Sequence, residues 1–197
     1  MARVSFAQDV TGLILAGGQS RRFGSDKARF EVAGRAMIDH VIEVVATVTD
    51  TVMISVAEEG VLMETPLIRQ VVDQHKDAGP LAGLHAGLRA AETPWVLAVA
   101  CDMPFLTSAV LHTLLEAREA GVDAVVARTP DGRTHPLCAC YRTTLLPVIE
   151  MQLHQKALAM HALLHRAKNV TFVDLPTGPL RNVNRIADLD RPAQNMN

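Results

Sequence analysis

Between Leu13 and Lys27 the chain reads Leu-Ile-Leu-Ala-Gly-Gly-Gln-Ser-Arg-Arg-Phe-Gly-Ser-Asp-Lys. An apolar run stops at the adjacent pair Gly17-Gly18, and Arg21, Arg22, Asp26 and Lys27 follow closely. Glycines at the end of a strand let backbone N–H groups approach a phosphate, because no Cβ stands in the way. Arg21 and Arg22 add forked donors and Lys27 a mobile point charge. Such a loop suits a nucleoside triphosphate, with Lys27 and Arg21 neutralising its charge. A glycine turn followed by a solvated charged loop has the same composition, so the rest of the chain must decide. The spacing excludes a P-loop, since Lys27 follows Asp26 rather than glycine. It also excludes Gly-x-Gly-x-x-Gly, since Gly17 and Gly18 are neighbours.

Asp102 follows the apolar run 95–100 and precedes Met103-Pro104. A carboxylate at the mouth of a buried strand is placed to hold Mg²⁺ against phosphate oxygens, because this ion takes one or two carboxylates and completes its shell with phosphates and water. The alternative is a helix cap, a task for which Thr107 and Ser108 are closer. Asp73 closes the expected strand Ile68-Arg69-Gln70-Val71-Val72, where it can accept from a ribose or base edge or serve as a plain strand-end residue. Gly79-Pro80-Leu81-Ala82-Gly83 reads as a rigid turn opening a helix, with small residues that permit close approach; ordinary helix initiation reads the same way.

These residues need elements to carry them. Strands are expected at 11–16, 51–56, 69–73, 95–100, 123–127, 137–142 and 170–174, and helices at 36–48, 80–92, 107–119 and 155–167. Several strands are unbroken apolar runs, as expected when both faces are covered. The alternation predicts an α/β domain with a mostly parallel sheet and helices on both faces. In such sheets ligands bind beyond the carboxyl ends of the strands. Gly17-Gly18, Asp73, Cys101-Asp102 and the loop before His135 all fall at expected strand ends.

With 197 residues, 49% hydrophobic and 20% charged, the chain fits one domain with a substantial core. A net charge of −2 and the lack of a basic tract argue against nucleic acid as a partner. No apolar run reaches the ~18 residues of a membrane span, and Met1–Val10 carries no signal-peptide core, so a cytoplasmic location is expected. Cys138 and Cys140 fall on one face of an expected strand and read as buried thiols rather than half a metal site. His154, His161 and His165 fall at i, i+7 and i+11 on one helical candidate and could form a metal face, but without an accompanying Glu they read as a polar helix face.

The sequence Leu-x-Gly-Gly-x-x-Arg-Arg-x-Gly-x-Asp-Lys resembles the signature loop of the nucleotidyltransferase superfamily, and its Ala16-Gly17-Gly18 form resembles that of the molybdenum cofactor guanylyltransferases. Asp73, Gly79–Gly83, Cys101-Asp102-Met103-Pro104, His135-Pro136-Leu137 and Asn182-Val183-Asn184 extend the resemblance to about residue 189. Phe23, Ala100 and Arg185-Ile186 depart from the usual pattern, as does Gln155-Lys156 where an arginine-rich segment is common.

The resemblance implies a Rossmann-like three-layer sandwich of the nucleotidyltransferase type. Its nucleotide-binding part would lie at about 10–106 and its acceptor-binding part at about 107–192. It implies transfer of GMP from GTP to molybdenum-loaded molybdopterin with release of pyrophosphate, and molybdoenzyme or cofactor-assembly proteins as possible partners. Leu15, Ala16, Gly17, Gly18, Lys27, Asp73, Gly79, Pro80, Leu81 and Asp102 would contact GTP, with Asp102 holding Mg²⁺. Lys27, Asp102 and Arg21 would serve catalysis, and His135, Pro136, Asn182 and Asn184 would face the pterin. Three rivals stand beside this reading. A cytidylyltransferase acting on the same acceptor more often has Ala-Ala-Gly, and a sugar-phosphate nucleotidyltransferase is usually longer. A non-catalytic nucleotide-binding adaptor would have no need of both Lys27 and Asp102.

Overall fold

A computed structural model describes residues 8–16, 30–57, 68–75, 77–184 and 186–188. Its elements run β1 (Val10–Leu15), β2 (Glu31–Val32), β3 (Arg35–Ala36), α1 (Met37–Ala46), β4 (Val52–Val56), β5 (Ile68–Val72), α2 (Pro80–Ala90), β6 (Trp95–Ala100), α3 (Ser108–Glu116), β7 (Ala124–Arg128), β8 (Thr134–Arg142), α4 (Leu146–His154), α5 (Met160–Arg166) and β9 (Val170–Asp174). One sheet of seven strands has the order β5-β4-β1-β6-β8-β7-β9, and β2 and β3 form a small separate hairpin.

Strands β5, β4, β1 and β6 are parallel; β8 is antiparallel to both β6 and β7, and β9 pairs parallel with β7. Alternate side chains on each strand feed two cores. One packs Ile14, Ile54, Leu97, Val99 and Val125 against α1 and α3, and takes Cys138 and Cys140 as buried thiols. Burial pushes both thiols up, that of Cys140 to about 12. The other packs Leu13, Leu15, Met53, Ala98 and Val126 against α2, α4 and α5. The molecule is therefore the expected three-layer α/β sandwich. No helix of the described residues is long and apolar enough to cross a membrane.

Two close approaches fix α2. A Cβ on Gly87 would overlap the Leu13 side chain, and one on Gly83 would overlap Ser55 Oγ and come within 2.9 Å of Leu15. The small residues of the Gly79–Gly83 segment thus include one that lets a helix lie close on β1 and β4, rather than one that opens room for a ligand.

The expected helix 155–167 is corrected. Its first residues belong to a break: α4 ends at His154, and Ala157 N–H bonds back to the Gln152 carbonyl at 2.9 Å around Lys156, whose φ is 56°. Buried Gln152 ties the break together, its Nε2 donating to the Ala157 and Ala159 carbonyls at 2.6 and 3.1 Å. The left-handed backbone at Lys156 favours glycine by ~1 kcal/mol. Lys156→Gly is therefore expected to raise unfolding free energy by about that amount, read from denaturant melts; a lower midpoint would contradict the cap geometry. The break also separates His154 from His161 and His165, so the three share no helix face. His161 Nε2 instead lies 3.1 Å from Thr134 Oγ1.

Candidate active site

The sheet changes direction of growth between β1 and β6: β4 and β5 are added on one side, and β6 and all later strands on the other. The crevice at the carboxyl ends of β1 and β6 is thus the switch point at which α/β sheets bind ligands. Ala16 and Cys101 flank it, with Ala16 N–H on the Ser55 carbonyl at 3.1 Å and Cys101 N–H on that of Leu15 at 3.2 Å. Gly17, Gly18, Arg21 and Lys27, which follow Ala16 in the sequence, lie outside the described residues.

Asp102 sits half-buried where β6 ends and the chain turns toward Pro104. Its Oδ1 accepts from Asn182 Nδ2 at 2.6 Å, and its carbonyl accepts from Val183 N–H at 2.8 Å. Thr107 occupies the cap position of α3, so capping is not the role of Asp102. The contact with Asn182 depends on the last part of the chain. After β9, at the edge of the sheet, residues 175–184 return across β7 and β8 to reach β6. Three strand spacings separate β9 from β6, or about 14 Å.

His135 and Pro136 come to the same edge because β8 is reversed. Its amino end lies where the parallel strands have their carboxyl ends. The pairing of β8 with β7 jumps from Ala139 opposite Val126 to His135 opposite Ala127, so Pro136, Leu137 and Cys138 have no β7 partner. Such irregularities re-aim side chains near sites. Buried Tyr141 holds this one, its hydroxyl donating to the Pro136 carbonyl at 2.7 Å.

Two cavities open here. The larger, about 560 Å³, is walled by Met103, Pro136, Leu137 and Met160 and rimmed by Arg133, His135, Asn182 and Asn184. The smaller, about 260 Å³, shares those four rim residues and adds Thr129, Asp131, Arg181 and Asp188. Arg133 is not among the sequence candidates, although it stands two residues before His135-Pro136 and could be found by asking what a charged side chain does beside them. Burial is the main cause that lowers the His135 pKa, with the charge of Arg133 second and Asp131 opposing. The imidazole is therefore neutral near pH 7.

Asp73 lies across the switch point, just beyond β5, its N–H on the Val56 carbonyl at 2.9 Å. Its Oδ1 is buried with no hydrogen-bond partner among the described residues. Burial raises its pKa, with His75 acting in the opposite sense. A carboxylate raised in this way costs nothing below the ordinary carboxylate range, and its destabilising effect is complete once pH passes the raised pKa. Asp73→Asn is accordingly expected to leave Tm at pH 7 unchanged or higher in the nucleotide-free protein; a clear fall would show that the charge is structurally satisfied.

Gly79, at φ 61° and ψ −150°, caps α2, and Pro80 opens the helix. Leu15 and Leu81 are buried in the core, so only their backbone atoms remain for a ligand. His85 is buried on α2, 3.7 Å from Glu150 and with its ring edge-on to His75. Among the described residues no cluster of three or more His, Cys, Asp or Glu forms a metal cage. Asp102 accordingly fits a hard cation whose shell is completed by phosphate and water, not by protein alone.

A switch-point crevice with a carboxylate at its mouth, a glycine-rich sequence running on from β1 and a polar cavity alongside defines a nucleotidyltransferase. The sequence model for the MobA-like NTP transferase domain matches residues 12–170, and the chain belongs to that family. It is 35% identical over 196 residues to the molybdenum cofactor guanylyltransferase of Desulfosudis oleivorans, covering 92% of this chain and 93% of that one. It is 34% identical to the probable molybdenum cofactor guanylyltransferase of Mycobacterium marinum, covering 98% and 97%. Among solved structures, the molybdopterin-guanine dinucleotide biosynthesis protein A of Archaeoglobus fulgidus superposes with a TM-score of 0.73 at 25% identity, covering 91% of this chain and 94% of that one. The 2-C-methyl-D-erythritol 4-phosphate cytidylyltransferase of Thermus thermophilus, at TM-score 0.70 and 20% identity over 92% and 96% of the two chains, shares the fold.

Proposed function

We propose that this protein transfers GMP from GTP to molybdenum-loaded molybdopterin, giving the guanine dinucleotide form of the cofactor and pyrophosphate. The observation that carries the reading is the hydrogen bond from Asn182 to Asp102, which joins the nucleotide crevice to the polar cavity beside it. A group-transfer enzyme needs its two substrates on either side of one reacting centre, and this contact supports putting that centre at Asp102. The similarity to guanylyltransferases over nearly the whole chain supports guanine as the base and molybdopterin as the acceptor.

The acceptor's phosphate oxygen is already a competent nucleophile, so no general base is required. The work of the protein is to position the groups and to neutralise charge at the α-phosphate and on departing pyrophosphate. The backbone N–H groups of Gly17 and Gly18 would steady the triphosphate, Leu15, Ala16, Gly79, Pro80 and Leu81 would contact the nucleotide through their backbones, and Lys27 and Arg21 would neutralise phosphate charge. The unpartnered Asp73 carboxylate accepts from the nucleoside. Asp102 would hold Mg²⁺, which when bound would offset phosphate charge. Asn182 orients Asp102, while His135, Pro136 and Asn184 border the space for the pterin. Nucleotide binding is assigned to about 10–106 and acceptor binding to about 107–192 of a single domain; that the cavity residues His135, Asn182 and Asn184 fall in the second part supports the division.

Incubation with GTP and molybdenum-loaded molybdopterin, followed by mass analysis of the products, tests this reading. A product heavier than the acceptor by one GMP residue is expected. Hydrolysis of GTP with the acceptor unchanged would contradict transfer.

A further inference from the structure

The wall shared by the two cavities carries Arg133, His135, Asn182 and Asn184, and the first three differ in what they already touch. Asn182 is engaged with Asp102. Arg181, beside it in the smaller cavity, lies over the Phe105 ring at 4.6 Å. The Arg133 guanidinium makes no hydrogen bond or ion pair among the described residues. His135 Nε2 is buried with no partner among them either.

The main chain that presents Arg133 is firmly held. Its carbonyl accepts from Thr129 N–H at 2.9 Å and from Thr129 Oγ1 at 3.0 Å, and its own N–H donates to Asp131 Oδ1 at 3.2 Å. Gly132, at φ 84°, makes the tight turn and bonds back to the Thr129 carbonyl at 2.8 Å. A braced turn thus sets a forked cation and a polar imidazole side by side on the wall that leads through Asn182 to Asp102. Preorganisation of this kind lowers the ordering cost when a ligand completes the hydrogen bonds.

The acceptor brings a suitable group. Its phosphate monoester is close to a dianion at neutral pH and must approach a triphosphate, so it needs a cation on its own side of the crevice. A guanidinium offers two parallel N–H bonds to two phosphate oxygens and so fixes orientation as well as charge. Resting on the guanylyl-transfer reading, we propose that Arg133 seats the attacking phosphate of the acceptor, with His135 completing the seat. The flat heterocycle then occupies the larger cavity, against Met103, Leu137 and Met160. Arg133 sets which acceptors are accepted, and at what angle their phosphate meets the nucleotide.

Arg133→Ala and Arg133→Lys test the assignment through the acceptor KM at saturating GTP, alongside the GTP Kd. For Arg133→Ala the KM for molybdopterin is expected to rise at least fivefold with the GTP Kd unchanged, and Arg133→Lys to recover part of the loss. An acceptor KM and kcat equal to those of the parent protein would overturn the proposal.

A second readout does not depend on turnover. Phenyl phosphate, titrated while the His135 ring protons are followed by NMR, is expected to shift them in the parent protein and not in Arg133→Ala. Asp131, His161, Arg181 and Asp188, the other charged or titratable groups lining the cavities, are unchanged in both. If molybdopterin fails to elicit pyrophosphate release from the parent protein, the guanylyl-transfer reading fails and this titration alone decides. A shift that requires Arg133 then supports a phosphate seat for a different acceptor, and no shift in the parent protein overturns the seat itself.

Discussion

Asp102→Asn is expected to lower kcat about a thousandfold, roughly 4 kcal/mol of transition-state stabilisation, while leaving the fold and Tm intact. Asparagine keeps a side-chain oxygen able to accept from Asn182 Nδ2, and the bond from Val183 N–H to the residue 102 carbonyl involves backbone alone. The return segment 175–184 therefore stays anchored and only the negative charge is lost. Asp102→Ala removes the charge and the bond together, and should show the same loss of turnover with a looser return segment. Parental kcat in Asp102→Asn would remove Asp102 from the chemistry and leave it as a brace. Circular dichroism and a melting curve distinguish a catalytic loss from a folding one.

Lys27→Ala is expected to reduce kcat/KM more than tenfold, or about 1.4 kcal/mol. The argument rests on charge and spacing. Lys27 closes the glycine- and arginine-bearing sequence that runs on from the end of β1, beside the switch point, and a flexible ammonium is suited to follow phosphate charge as pyrophosphate departs. Lys27→Arg tests whether a point charge is needed in particular, since a planar fork cannot follow the phosphates in the same way. Unchanged kcat/KM in Lys27→Ala would show that backbone N–H groups and the metal carry the phosphates without it.

Much of this is legible in the chain. β1 and β6 read as strands because Leu13-Ile14-Leu15 and Val96-Leu97-Ala98-Val99 are unbroken apolar runs, and helices cover both faces of the sheet there. Asp102 stands out as a single carboxylate just after such a run, and Asp73 as one closing the more mixed strand Ile68–Val72. What cannot be read is whatever depends on direction or distance. Nothing local to 134–142 distinguishes an antiparallel strand from a parallel one, although the reversal of β8 is what brings His135 to the site. The Asn182–Asp102 bond joins residues 80 positions apart, and the sequence pattern carries no trace of it. The break between α4 and α5 escapes because no glycine marks it; Lys156 takes the left-handed position, and a buried glutamine holds the turn. Arg133 is hidden for another reason: a charged residue in a hairpin loop reads as solvated surface until the cavities on either side of it are seen.

The central claim, guanylyl transfer, is tested most directly by pyrophosphate release with Mg²⁺ and each of GTP, CTP, UTP and ATP, with and without molybdenum-loaded molybdopterin. Release with GTP alone, and only when the pterin is present, is the predicted result. Release with CTP in place of GTP, or silence with every nucleotide despite measurable GTP binding, would contradict it.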